Sequence, residues 1–156
     1  MTNSTTFPGS LSCATSNMSN AMTLGTTKTF VVTVSDASGG NKYYIDGYLQ
    51  ASLELHQGQT YIFDLSSSTL SGHPFIFSES NSNDGTTNGT PYTTGITTTG
   101  TYGSSEKRTF VVSVSTPTTL YYYCTIHSGM GASVSLSSEA ELIVTGRVES
   151  TDLVVT

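Results

Sequence analysis

Short runs rich in β-branched and aromatic residues, with polar residues interleaved and turn signals between them, recur along this chain from Lys28 on, which is the signature of strands. Thr29-Phe30-Val31-Val32-Thr33-Val34 is β-branched and aromatic, and the run Asp36 to Asn41 closes it with a turn. Lys42-Tyr43-Tyr44-Ile45, then Asp46-Gly47, then Tyr48-Leu49 predicts a hairpin on a type I′ turn. Further strands are expected at Ser52 to Leu55, Thr60 to Leu65, Pro74 to Phe77, Arg108 to Val114, Thr119 to Tyr123 and Ser133 to Leu136. Leu142 to Thr145 and Leu153 to Val155 are short strands or parts of an arm. Residues 78–105 read as one long polar loop with Tyr92 and Ile96 as anchors. About eight short strands with turns at this spacing predict an all-β sandwich.

The segments Thr29 to Ser35 and Thr109 to Ser115 are nearly the same. The match stops there, so it describes two similar half-buried strands and not a duplicated unit. Residues 1–27 are polar and irregular and read as an N-terminal arm; residues 28–136 form the sandwich, and residues 137–156 a C-terminal strand or arm.

Composition narrows this picture. The 156 residues are 35% hydrophobic and only 10% charged. Ser and Thr supply roughly a third of the chain, far above the usual share. Nine Tyr and 6 Phe still provide material for a core. Few strong helix formers are present, which again favours strands. The net charge of −6 and the lack of a basic patch argue against nucleic-acid binding. No apolar run approaches the length of a membrane span, so no membrane partner is expected. Met1 to Phe7 has neither a charged nor an apolar leader segment, so no signal peptide is expected. Two Cys, Cys13 and Cys124, make one bridge at most; Cys13 is expected to be a free thiol.

One constellation carries chemistry. Cys124-Thr125-Ile126-His127-Ser128-Gly129-Met130 is a Cys-x2-His-x2-Met run on a Gly-containing loop after a strand. His73 lies about fifty residues upstream, at the start of another strand. A thiolate, two imidazoles and a thioether are the donors of a type-1 copper site. Gly129 and Gly131 allow the loop to curl so that its donors face one ion. Given the Cys, this spacing arises by chance on the order of 1 in 2000 times. The same residues also read as a buried free Cys, a surface His and a core Met. His56 precedes a tight turn and is expected to make a surface or turn contact. Asn81 to Gly85 lacks the distal Glu of a calcium loop. No nucleophile signature, phosphate loop or paired carboxylate is present, so no enzyme activity is expected.

With those four positions in place, Lys42 to Gly131 resembles a cupredoxin domain. Glu54 to Phe63 is similar to the turn and strand before the first copper His of that family. The resemblance implies a Greek-key sandwich with copper at one end, held by His73, Cys124, His127 and Met130. The stretches Tyr43 to Gly47, Thr60 to Asp64, Ser71 to Pro74, Tyr92 to Gly95 and Tyr121 to Gly131 are also similar to domains in structural proteins of marine bacteriophages, especially cyanophages. That second resemblance implies a capsid- or tail-associated virion protein, assembled in the host cytoplasm, with other virion proteins and copies of itself as partners. The alternative is a soluble blue-copper electron carrier. Pro74 departs from the cupredoxin pattern: electron-transfer members usually offer a backbone N–H there to the Cys sulfur, and Pro has none. The thiolate is then expected to lose a hydrogen bond, and the reduction potential to fall.

Overall fold

Strand formation follows the alternation closely. The computed structural model describes residues 27–37, 39–81 and 89–137. Eleven strands are present among them: β1 Thr27–Ala37, β2 Gly40–Ile45, β3 Tyr48–Leu49, β4 Leu53–His56, β5 Thr60–Asp64, β6 Phe75–Ser78, β7 Pro91–Tyr92, β8 Ile96–Thr99, β9 Lys107–Val111, β10 Thr119–Cys124 and β11 Ala132–Ser137. They form a six-stranded sheet in the order β3-β2-β1-β5-β9-β8 and a five-stranded sheet in the order β4-β11-β10-β6-β7. Both sheets are mixed, with β1 parallel to β5 and β4 parallel to β11. The expected all-β sandwich is the architecture found.

One face of each sheet supplies the core. On β1, Phe30, Val32 and Val34 are buried while Val31 between them is exposed. The two sheets meet through rings: Phe63 lies 5.0 Å from Phe77 and Tyr43 5.2 Å from Phe75, both edge to face. Such pairs add to the stabilisation from burying the rings themselves. The near-identical segments at 29 and 109 become β1 and β9, which flank β5 from its two sides, parallel and antiparallel respectively. Their Phe30 and Phe110 both enter the one core.

The Asp46-Gly47 turn has φ of 51° and 83°, both positive as a type I′ turn requires. Residues 78–105, read from sequence as one loop, contain β7 and β8. Tyr92 is buried, and Ile96 packs on the core from the sheet edge. β8 escapes the alternation rule because its Thr97, Thr98 and Thr99 are all exposed at an edge, where either face can be polar. Thr27 begins β1 and Ser137 ends β11; the rest of both expected arms lies outside the described residues. So do Cys13, most of the Asn81 to Gly85 stretch and the strands expected at 142–145 and 153–155.

β5 and β9 are also joined by Lys107, whose Nζ lies 2.6 Å from Asp64 Oδ2. This hydrogen bond and those from Ser66 hold the Asp64 carboxyl at about 2. A depressed carboxylate value stabilises the fold above the unfolded-state value near 3.9 and loses that contribution as pH falls towards 2. Lys107 is 47% exposed, so water weakens the pair and the loss is below about 1 kcal/mol. Denaturant melts of wild type and Asp64→Asn at pH 5 and 2 should differ by this small amount at pH 5 and converge at pH 2.

Candidate metal centre

Three segments bring the donors together at one end of the sandwich. The first runs from β5 into a short 3-10 turn, Ser68–Leu70, capped by the Ser67 hydroxyl accepting the Thr69 N–H. Leu70 is fully buried and pegs this turn to the core. Gly72 follows with φ of 78°, a left-handed conformation, and reverses the chain into His73. The His73 N–H donates to the Leu70 carbonyl at 2.9 Å. The second segment is β10, whose last residue, Cys124, pairs in register with Phe75, two residues beyond His73. The third is the loop from Thr125 to Gly131, which carries His127 and Met130.

That loop is tied to the opposite sheet. Lys42 Nζ donates to the Gly129 carbonyl at 2.7 Å, and the Tyr43 N–H donates to the Met130 carbonyl at 2.9 Å. Gln50 Nε2 donates to both the Gly129 and Gly131 carbonyls, at 3.1 and 2.8 Å. The two loop glycines serve different ends. Gly129 takes a positive φ of 69°, as the curl demands. At Gly131 the chain passes so close to the Tyr122 carbonyl that any Cβ would overlap it.

The metal-binding atoms of His73, Cys124 and His127 all lie within 4.8 Å of one another. Cys124 Sγ is 3.7 Å from His127 Nδ1, and the two imidazole rings are 4.6 Å apart. Cys124 is a free, buried thiol. His73 Nδ1 is buried without a hydrogen-bond partner, while its Nε2 lies 3.1 Å from Asn41 Nδ2. A buried polar atom without a partner is costly, and a cation beside it would satisfy it. Burial, with the adjacent His127, pushes the His73 imidazole below its ordinary value, which favours the neutral, lone-pair form that a metal requires. His127 has an exposed side, and Ile126 next to it is 62% exposed. Met130, the fourth residue of the sequence motif, is fully buried within the core cluster. His56 stands apart from this group: its Nδ1 is 2.6 Å from the Ser137 hydroxyl at the β4–β11 edge. The donor set of thiol and two imidazoles, with one ring nitrogen left unpaired, fits a soft or borderline metal ion.

Several residues around these donors carry no motif of their own. Asn41 and Tyr43 on β2 and Tyr102 before β9 all contact His73: the Tyr43 and Tyr102 hydroxyls each donate to its carbonyl at 2.6 Å. The Asp36 to Asn41 turn signal located Asn41 without revealing its partner.

No family model matches the chain, and no curated protein matches it. Among solved structures it is similar to reduced rusticyanin at 1.9 Å, with 17% identity over 72% of this chain and 81% of that one, at a TM-score of 0.43. A 1.27 Å structure of rusticyanin from Thiobacillus ferrooxidans is 15% identical over 72% and 79% of the two chains, at a TM-score of 0.41. A third, described as the copper protein rusticyanin at 2.1 Å, is 15% identical with a TM-score of 0.44.

Proposed function

We propose that this protein binds one copper ion at a type-1 site and carries single electrons, without acting as an enzyme. The observation that carries the reading is the convergence of Cys124, His73 and His127 around a buried, unpartnered His73 Nδ1. Bound copper would supply a one-electron couple between its two common oxidation states.

The protein's own contribution is to hold the donors still. Cys124 is fixed by the β10–β6 ladder, His73 by the buried Leu70 turn, and the His127 loop by Lys42, Tyr43 and Gln50. Met130, which the motif places at the end of the same loop, would be the fourth residue to hold the ion. A donor set held by a scaffold need not rearrange when the charge on the ion changes. Asn41 lies against His73 Nε2; were Nδ1 to hold a metal ion, Nε2 would keep its proton and the Asn41 amide would present its oxygen to accept it. The exposed side of His127, flanked by Ile126, is the place where an electron would enter or leave. The virion location and assembly partners implied by the phage resemblance rest on that resemblance alone, whereas the side-chain geometry favours the copper reading.

The test is a Cu(II) titration of reduced protein. One equivalent should produce an intense visible thiolate-to-copper absorption that ascorbate bleaches, and Cys124→Ser should lack it. A reduced Cys124 thiol with no such band at stoichiometric copper overturns the proposal.

A further inference from the structure

The segment His73-Pro74-Phe75 carries the first candidate donor into β6. Successive residues of a strand turn their main-chain groups to opposite edges. The Pro74 carbonyl faces β10 and accepts the Thr125 N–H at 3.3 Å. Phe75 therefore turns its N–H and carbonyl to the other edge, where β7 lies. That strand pairs only with Phe77 and Ser78 and ends at Tyr92, so among the described residues no strand pairs with Phe75 on that side. Phe75 is fully buried, and its main-chain groups need partners. Two side chains supply them. The Tyr102 hydroxyl accepts the Phe75 N–H at 2.9 Å and donates to the His73 carbonyl at 2.6 Å. The Arg108 guanidinium donates to the Phe75 carbonyl and lies 6.0 Å from the centre of the Tyr102 ring.

We propose that Tyr102 is a positioning residue for the candidate metal site: its hydroxyl joins the residues on either side of Pro74, takes the place of the strand that Phe75 lacks on that edge, and fixes His73 against Cys124 and His127. This rests on the copper-site reading. A hydroxyl suits the place because it accepts and donates at once. Pro74 has no N–H of its own, so the bridge is the link that ties its two neighbours. The position of Tyr102 is set independently of His73. Its ring packs on the core, and the turn around it is tied to Leu65, the fully buried residue after β5: the Gly103 N–H donates to the Leu65 carbonyl at 2.9 Å, and the Leu65 N–H to the Glu106 carbonyl at 2.8 Å. The His73 carbonyl also accepts the Tyr43 hydroxyl, so the Phe75 N–H is the group that depends on Tyr102. Phe75 and Cys124 are register partners, and a shift at Phe75 therefore reaches two donors together.

Tyr102→Phe keeps the ring and removes only the hydroxyl. In metal-free protein, hydrogen exchange followed by NMR should show the Phe75 amide exchanging about ten-fold faster than in wild type, with the Ile76 amide, which faces β10, changed by less than about twofold. Equal acceleration of both amides would mean a role in packing alone and overturn the proposal. After copper loading, the variant should bind copper ~10-fold more weakly and show a shifted thiolate-to-copper band. An unprotected Phe75 amide in wild type overturns the proposal whether or not the variant folds, as does a Phe75 exchange rate that Tyr102→Phe leaves unchanged. A wild-type band and affinity that the variant leaves unchanged overturn this role alone, whereas wild type lacking the band overturns the copper reading and this role with it.

Discussion

Gly131→Ala is expected to unfold the metal loop and weaken the whole sandwich. The added methyl would fall on the Tyr122 carbonyl oxygen, and that oxygen belongs to the backbone of β10. A flexible side chain could swing away; this strand is held on one side by β11 and on the other by β6. Tyr122 itself pairs with Ala132, the residue after the substitution, so relief of the clash means opening the ladder where β11 begins. Overpacking typically costs 1–3 kcal/mol, and a backbone obstacle puts this case at about 3 kcal/mol or more. The Gln50 bonds to the Gly129 and Gly131 carbonyls and the Tyr43 bond to Met130 would be lost in the same movement. Chemical denaturation should show the stability loss, and copper titration an affinity at least ten times weaker. A wild-type midpoint together with a wild-type visible band would show that the close approach does not matter.

Arg108→Met is the second large effect. The Arg108 Nε lies 2.8 Å from Glu106 Oε1, with the two side chains only 17% and 8% exposed. The same guanidinium donates to the Phe75 carbonyl at the head of β6, two residues beyond His73. Removing it leaves a buried carboxylate and a main-chain carbonyl without partners, and breaking a buried pair in this way costs about 3–5 kcal/mol. The penalty comes from the stranded Glu106 charge and not from the pair's own net worth. Arg108→Met/Glu106→Gln should therefore recover a large part of the loss, a non-additivity that denaturant melts of the two single variants and the double variant would measure. Additive losses would mean that Glu106 is not the group that suffers. Copper affinity should fall in the single variant as well, because Phe75 and Cys124 are register partners.

These two positions mark how far a linear reading reaches. Gly131 was legible as a loop glycine, yet its reason is the neighbouring strand's carbonyl and not its own φ. Arg108 and Glu106 look like scattered surface charges in sequence, because nothing local says that β9 and the residue before it carry them inward, with Arg108 reaching β6. The hairpin at Asp46-Gly47, the alternating strands and the Cys124, His127 and Met130 spacing were legible, since each depends on residues within a few positions of one another. β7 and β8 were not, because short edge strands with polar faces carry no alternation.

The amino-acid sequence by itself determined the strand-forming segments, the turn type and the identity of the candidate metal donors. These follow from dihedral preference, two-residue periodicity and donor chemistry, all of which act over short separations. Only the tertiary structure decided that His73 meets Cys124 and His127 and that Asn41, Tyr43 and Tyr102 surround it. Asn41, Tyr43 and Tyr102 reach His73 across about thirty residues of sequence, and Lys42, Tyr43 and Gln50 reach the metal loop across about eighty. They exist because two sheets close face to face in one register, a choice made by the packing of Phe63, Phe75, Phe77 and Tyr43 in the shared core.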